Sequence, residues 1–257
     1  MTTEAERHRR IVDVLAGRPF ATVKDLLEVI AASSATIRRD IGKLHAAGAV
    51  RKVFGGIAPV DALSGQGRLS ARPFEENRSL GVAAKQAIAA AAETLCRDGD
   101  AIIIHGGTTC HLFALQVARR NLRICTNSMP VAAALADHGT CQLTVAGGEL
   151  HREPGIIHST GRDMPDFFGS KLFIGAQGIS ADGVLESHPL LVRSAQGLLD
   201  RADAVVVLAD SRKFAIRPRH VAFPLSRIGA LVTDDGLTDP DARMLEDAGV
   251  RVIIAKA

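Results

Sequence analysis

Seven short runs of Val, Ile and Leu constrain this chain more than any other feature. They are AIIIHG at 101–106, LRICT at 122–126, QLTVAG at 142–147, KLFIGA at 171–176, AVVVLA at 204–209, ALVT at 230–233 and VRVIIA at 250–255. They read as continuous apolar stretches, the pattern expected of parallel strands that are covered on both faces. Amphipathic helix patterns fall between several of them, at roughly 109–119, 129–138, 189–202 and 239–248. An alanine-rich helix pattern at 80–97 precedes the first. The expectation is a layered α/β domain over 80–257, with a mainly parallel sheet and right-handed crossovers.

The first 58 residues carry a different pattern and a different charge. They hold ten Lys/Arg against six Asp/Glu, a charge of +4, while the remaining 21 bases and 22 acids leave the rest at −1. A small basic module on a near-neutral body suits phosphate neutralisation by the module alone. A first helix is expected from Glu4 to Leu15, with Ile11, Val12, Val14 and Leu15 inward, Arg7, Arg9 and Arg10 toward solvent or phosphate, and Gly17 ending it. Thr22 and Asp25 have the spacing of a capping box for a short second helix with Val23, Leu26, Leu27 and Ile30 on its core face. Ala31 and Ala32 make the turn. Ser33 then caps a third helix over 33–44, in which Ile37, Ile41 and Leu44 form a buried stripe and Ala35, Thr36, Arg38, Arg39 and Lys43 face outward. After Gly48, Val50 and Val53 anchor a ribbon that turns at Gly55 and Gly56. Three helices and a hairpin make a winged helix-turn-helix. Its expected DNA contacts are Ser34, Thr36, Arg38, Arg39, Lys43, Arg51 and Lys52.

Arg7-x3-Ile11, then Ser33-x2-Thr36-Ile37-Arg38-Arg39-Asp40-Ile41, then Gly55-Gly56 resemble the DeoR family of bacterial transcriptional regulators. The resemblance runs over essentially the whole chain. It implies a winged helix-turn-helix at 1–58, a linker at 59–79 that is rich in Gly, Ser, Pro and charge, and an effector-sensing α/β domain at 80–257 similar in fold to ribose-phosphate isomerases. The implied partners are double-stranded operator DNA and a phosphorylated, sugar-like effector.

In open α/β sheets ligands bind beyond the carboxyl ends of the strands. The loops there carry suitable residues: His105 to Thr109, Thr126-Asn127-Ser128, Gly147-Gly148, Gly175 to Gly178, and Asp210 to Lys213. Backbone amides at helix starts favour an anion, and the hydroxyls, amide and cations suit a phosphorylated polyol. The resemblance implies that Gly106, Gly107, Thr108 and Thr109 cradle phosphate and that Lys85, Asp210 and Lys213 contact the effector; Thr126, Asn127, Gly148 and Gln177 complete the candidate set. The family commonly has Asp at the position of Gln177, and Glu and Lys on the helix that here reads LLVRSAQGLL. Both departures resemble the ascorbate-utilisation branch. A neutral amide at 177 accepts a carboxylate or enolate that an Asp would repel, which favours an oxidised sugar derivative as effector.

A sugar-phosphate isomerase with an appended DNA module is the competing reading. It needs a carboxylate base near the substrate carbon, and Gln177 stands where the fold would offer one. The sequence therefore favours sensing over catalysis, and a regulator, most simply a repressor, over an enzyme. At 257 residues, with 47% apolar and 23% charged residues, the chain is that of a globular protein. No run approaches a membrane span, no secretory signal stands at the start, and Cys96, Cys110, Cys125 and Cys141 form no CxxC pair. A cytoplasmic homo-oligomer without metal or cofactor is expected. His105, His111, His151 and His158 receive no role, and the last two are expected to be exposed in a loop that contains Gly and Pro.

Overall fold

In the amino-terminal unit each helix starts where a side chain satisfies its first free N–H groups. The computed structural model describes residues 3–15, 21–47, 49–53, 56–59, 74–152, 154–158 and 166–256. Helix α1 (Glu4–Val14) is capped by Thr3, whose hydroxyl accepts from the Glu6 N–H. After β1 (Ala21–Thr22), α2 (Val23–Val29) opens on the expected capping box: Asp25 N–H donates to Thr22 Oγ1 at 3.1 Å and Thr22 N–H to Asp25 Oδ2 at 2.7 Å. Asp at the third position closes the box as Glu would. Helix α3 (Ser34–Ala46) is capped by Ser33, which accepts from Thr36 N–H at 3.2 Å. Strands β2 (Val50–Val53) and β3 (Gly56–Pro59) pair antiparallel, and β1 adds itself to β3. Ile11, Leu15, Leu26, Ile30, Ile37, Ile41, Leu44, Val50 and Ile57 form the core. The wing is therefore three-stranded, with a two-residue strand too short to show in the sequence. The ends assigned to Gly17, Gly48 and Gly55 lie outside the described residues.

Two expectations for α1 are corrected. Val12 is exposed, and Arg7 folds inward onto Asp40. The stripe is narrower than four residues, because α3 covers α1 along Ile11 and Leu15 and supplies a carboxylate to which Arg7 turns.

The second unit is built on the seven expected strands. Helix α4 (Phe74–Arg78) and α5 (Val82–Glu93) come first. Then follow β4 (Ala101–Ile104), α6 (Thr108–Val117), β5 (Arg123–Thr126), α7 (Met129–His138), β6 (Gln142–Val145), β7 (Glu149–His151), β8 (Ile156–His158), β9 (Gly169–Gly175), β10 (Gly178–Ser180), β11 (Gly183–Glu186), α8 (Pro189–Leu199), β12 (Ala202–Leu208), β13 (His220–Phe223), β14 (Ala230–Asp234), α9 (Asp239–Asp247) and β15 (Arg251–Ala255). The sheet order is β15-β14-β12-β9-β4-β5-β6, all parallel. Ile102, Ile104, Phe173, Val206 and Leu208 pack one face with α5 and α6, while Ile103, Leu172, Ile174, Val205 and Val207 pack the other with α8. Burial on both faces is why these runs are continuous.

Three features depart from the sequence expectation. The stretch 74–78, read as linker, is helical, and the Phe74 ring meets the His111 ring edge-on at 5.6 Å. β10, β11 and β13 form a small antiparallel sheet beside α8. His151 and His158 are not in an open loop but on the β7–β8 hairpin, half-buried, with ring centroids 6.2 Å apart. No described helix is long and apolar enough to cross a membrane.

Candidate functional sites

On α3, Ile37, Ile41 and Leu44 are buried while Ser34, Ala35, Arg38, Arg39 and Lys43 are exposed and Thr36 is half-buried. Asp40 is buried at 2% exposure and accepts from Arg7 Nε at 2.8 Å and Arg7 Nη2 at 3.3 Å. It is the only acid of α3, so its inward turn leaves the outer face cationic. Among the described residues Arg38 and Arg39 have no ion-pair partner, whereas Lys43 Nζ donates to Glu4 Oε1 at 2.7 Å. The backbone of Arg51 and Lys52 lies in β2, and their side chains lie outside the described residues.

In the second unit the candidate residues gather at the carboxyl ends of four neighbouring strands, β12, β9, β4 and β5. Gly107, at φ +135°, precedes α6, whose N-terminus has no side-chain cap; Thr108 and Thr109 are buried there. Gly106 has a packing reason: a Cβ on it would lie 2.4 Å from Ile156 Cδ1. Thr126 is fully committed to the fold, donating its hydroxyl to Ile104 O at 2.6 Å and accepting from Ser128 N–H at 3.1 Å. Gly148, at φ +130°, is exposed at the turn between β6 and β7, apart from this group.

The cations stand together beyond the carboxyl end of β12. Lys85, on α5, is 1% exposed, and its Nζ donates to the Asn77 carbonyl of α4. Burial, with the positive charges of Lys213 and Arg212 nearby, pulls it down to about 8, against the pull of Asp210. Asp210 is buried with both carboxylate oxygens held by Arg212, at 2.7 and 3.0 Å, so its role is to anchor a guanidinium rather than to present a free carboxylate. Arg212 Nη2 also donates to Leu80 O at 3.3 Å. Arg212, one of the two cations that the sequence places in the loop 210–213, is thus the one that holds Asp210.

Gln177 is also bound within the protein. Its Oε1 accepts from Ser187 N–H at 2.7 Å, and Glu186 Oε1 accepts from the same N–H at 2.8 Å and from His188 N–H at 3.2 Å. The expectation that this corner lacks a carboxylate is therefore corrected: Glu186 supplies one from the end of β11, nine positions along the chain. Burial raises its pKa, against the two backbone N–H groups and the charge of Lys213.

His105 is buried, with Nε2 3.1 Å from Ser194 Oγ on α8 and Nδ1 3.4 Å from the Gly106 carbonyl. Burial pulls its pKa down to about 4. Asn127 Nδ2 donates to the same Ser194 Oγ at 2.6 Å. His111 Nδ1 lies 3.2 Å from Pro130 O, and Cys110 is buried with its thiol pushed up to about 12.

Comparison with known proteins agrees in both units. The family model for the DeoR-like helix-turn-helix domain matches residues 7–62, and that for the DeoR C terminal sensor domain matches 81–235. The HTH-type transcriptional regulators UlaR of Salmonella newport (strain SL254) and Salmonella heidelberg (strain SL476) are each 29% identical over 252 residues, covering 98% of this chain and 99% of theirs. Among solved structures, ribose 5-phosphate isomerase A from Methanocaldococcus jannaschii overlaps 51% of this chain and 53% of its own, with a TM-score of 0.38 and 16% identity. That overlap is too partial to carry chemistry across. With one family's two domain models matching in order along nearly the whole sequence, the chain belongs to the DeoR family of helix-turn-helix transcriptional regulators.

Proposed function

We propose that this regulator is a cytoplasmic repressor of a carbohydrate-utilisation operon, acting as a homo-oligomer on operator DNA and controlled by a phosphorylated sugar or sugar acid. The observation that carries the reading is the gathering of Lys85, Arg212 and Lys213 beyond the carboxyl end of β12, on the sheet end from which β4 leads into the uncapped start of α6. Cations and a positive helix end together favour a phosphate. The relatives named UlaR accord with the ascorbate-utilisation branch to which the sequence pattern points. Two heads on a two-fold axis would read half-sites about 34 to 36 Å apart or a multiple of that.

Lys85 and Arg212 supply a route from effector to DNA. Both now hold backbone carbonyls of the segment that leads into α5, at Asn77 and Leu80. An anion that recruits them competes with those carbonyls and loosens α4, the element nearest in sequence to the linker. The effector thereby binds one arrangement of α4 better than the other, which is what coupling requires. Lys213→Ala is expected to bind operator normally and to ignore the effector. The wild-type response is expected to weaken above about pH 8, where Lys85 loses its charge. A thermal-shift panel of sugar phosphates and their acid counterparts, followed by operator gel shifts at the responding ligand, tests both. A Lys213→Ala protein that still responds at the wild-type concentration ends the assignment of that lysine.

Gln177→Asp tests the preference for an acid. It would place a second carboxylate on the Ser187 N–H beside Glu186, and two like charges at 4 Å cost about 4 kcal/mol at a protein-surface dielectric. The variant is expected to lose affinity for the acid member of each matched pair more than for the plain sugar phosphate. Wild type preferring the plain sugar phosphate would remove the argument.

Glu186 gives the isomerase reading its one specific support, since it is a carboxyl group with a raised pKa near the cations. Its Oε1 is already bound by two backbone N–H groups, which suits a structural acceptor better than a mobile base. The full chain is expected to leave ribose 5-phosphate unconverted. Turnover that is lost in Glu186→Gln would reverse this.

A further inference from the structure

The polarity of the hydrogen bonds among His105, Ser194 and Asn127 selects the chemistry of the ligand. The Gly106 carbonyl lies 3.4 Å from His105 Nδ1, and a carbonyl can only accept. Nδ1 therefore carries the proton, and because burial keeps the ring neutral, Nε2 is a bare acceptor. Ser194 Oγ, 3.1 Å from Nε2, must then donate its single proton to the ring. With that proton spent, Ser194 can only accept from its other neighbour at 2.6 Å, so Asn127 must turn its NH₂ toward the serine. The opposite amide orientation would set two acceptors against each other. Asn127 Oδ1 consequently faces away from Ser194, is buried on a residue only 4% exposed, and has no partner among the described residues.

We propose that Ser194, held by His105, is a positioning residue that makes Asn127 present an acceptor to the effector, so that the ligand must donate a hydroxyl at that point. This rests on the proposed effector site and names the chemistry it reads there. Asn127 follows the carboxyl end of β5 directly, next in the sheet to β4 and the uncapped start of α6, so a phosphate at α6 would carry its polyol chain past the amide. A buried acceptor is costly when unpaired, and a site built to pair a hydroxyl rejects an analogue that lacks it.

The test has one arm that needs no ligand. The ¹⁵N spectrum of the ring nitrogens in the full chain is expected to show His105 protonated at Nδ1 and bare at Nε2 from about pH 5 to 8, a range in which an ordinary histidine titrates. Ser194→Ala is expected to change the Nε2 resonance. A ring protonated at Nε2 overturns the proposal whatever binds. In the second arm, ribose 5-phosphate, glucose 6-phosphate and 6-phosphogluconate are titrated beside their deoxy analogues. For the member that binds wild type, removal of one hydroxyl is expected to cost tenfold or more, and Ser194→Ala is expected to shrink that discrimination to about threefold or less while operator affinity stays unchanged. Equal binding of every deoxy analogue to wild type overturns the proposal. If no panel member binds, the phosphorylated-effector reading fails instead, and the tautomer alone decides the relay.

Discussion

Replacing Asp40 with alanine is expected to destabilise the amino-terminal unit by about 3 kcal/mol, the lower end of the cost of breaking a buried ion pair by removing one partner. The carboxylate side chain is 3% exposed and its Arg7 partner 15%, with His8 Nε2 a further 3.4 Å from Oδ1. The unit is small and its core is one cluster, so such a loss is a large fraction of its stability. Glu4, His8 and Asp40 bring metal-ligand types within 4.8 Å of one another, yet Lys43 and Arg7 already oppose both carboxylates, and the cluster reads as a charge network. Burial works to raise the Asp40 pKa, and the hydrogen bonds and charge of Arg7, with those of His8, outweigh it and hold it below the usual 3.8. A depressed carboxylate contributes stability that is fully present above its unfolded pKa and lost as pH falls through its folded one. The head should therefore hold through neutral and mildly acid pH and loosen below about pH 3.8. The chain has no Trp or Tyr, so far-UV circular dichroism in denaturant is the measurement. An unfolding curve unchanged in Asp40→Ala, with Asp40→Asn as the milder control, would show the pair to be idle.

The sequence made the sheet legible because its strands are buried on both faces, and a run such as AIIIHG or AVVVLA has no other economical fate in a protein of this size. The helix starts were legible for a local reason: Thr22, Ser33 and Asp25 act on N–H groups three residues away. What stayed hidden is set by long-range or very short features. Strands of three or four residues, as in β10, β11 and β13, give too little pattern to distinguish from loop. Helix α4 has five residues and depends on Phe74 meeting His111 and on Lys85 reaching back to Asn77. His105 and Asn127 meet Ser194 across 89 and 67 positions, which no spacing rule reaches. The corner at Gln177 was misread for the same reason: residue type at one loop said that a carboxylate was missing, and β11 brought Glu186 back to it.

Arg38→Ala and Arg39→Ala are expected to weaken operator binding by about 1 to 3 kcal/mol each if the lost arginine reads a base edge, or roughly five- to 150-fold. The geometry of α3 is what singles them out. Its apolar stripe is sealed in the core, and its one acid is turned inside and neutralised by Arg7. The outer face thereby carries none of the helix's own negative charge and meets Glu4 of α1 at Lys43, an arrangement that suits the Arg38 and Arg39 end of the helix to lie against phosphates. Lys43 shares that face but is paired with Glu4 at 2.7 Å, so part of its charge is already compensated, and Lys43→Ala is expected to cost less. Base reading and phosphate contact separate by experiment. A base-reading arginine, when lost, relaxes specificity at one operator position; a phosphate contact weakens all sequences alike and lowers the salt slope by about one. Gel shifts on operator and scrambled duplexes at two salt concentrations make the distinction. Effector binding and melting temperature should stay at wild-type values, because both side chains are exposed and no described residue pairs with them. Unchanged affinity and unchanged salt slope in both variants would move the DNA contact off this face of α3 and onto the wing.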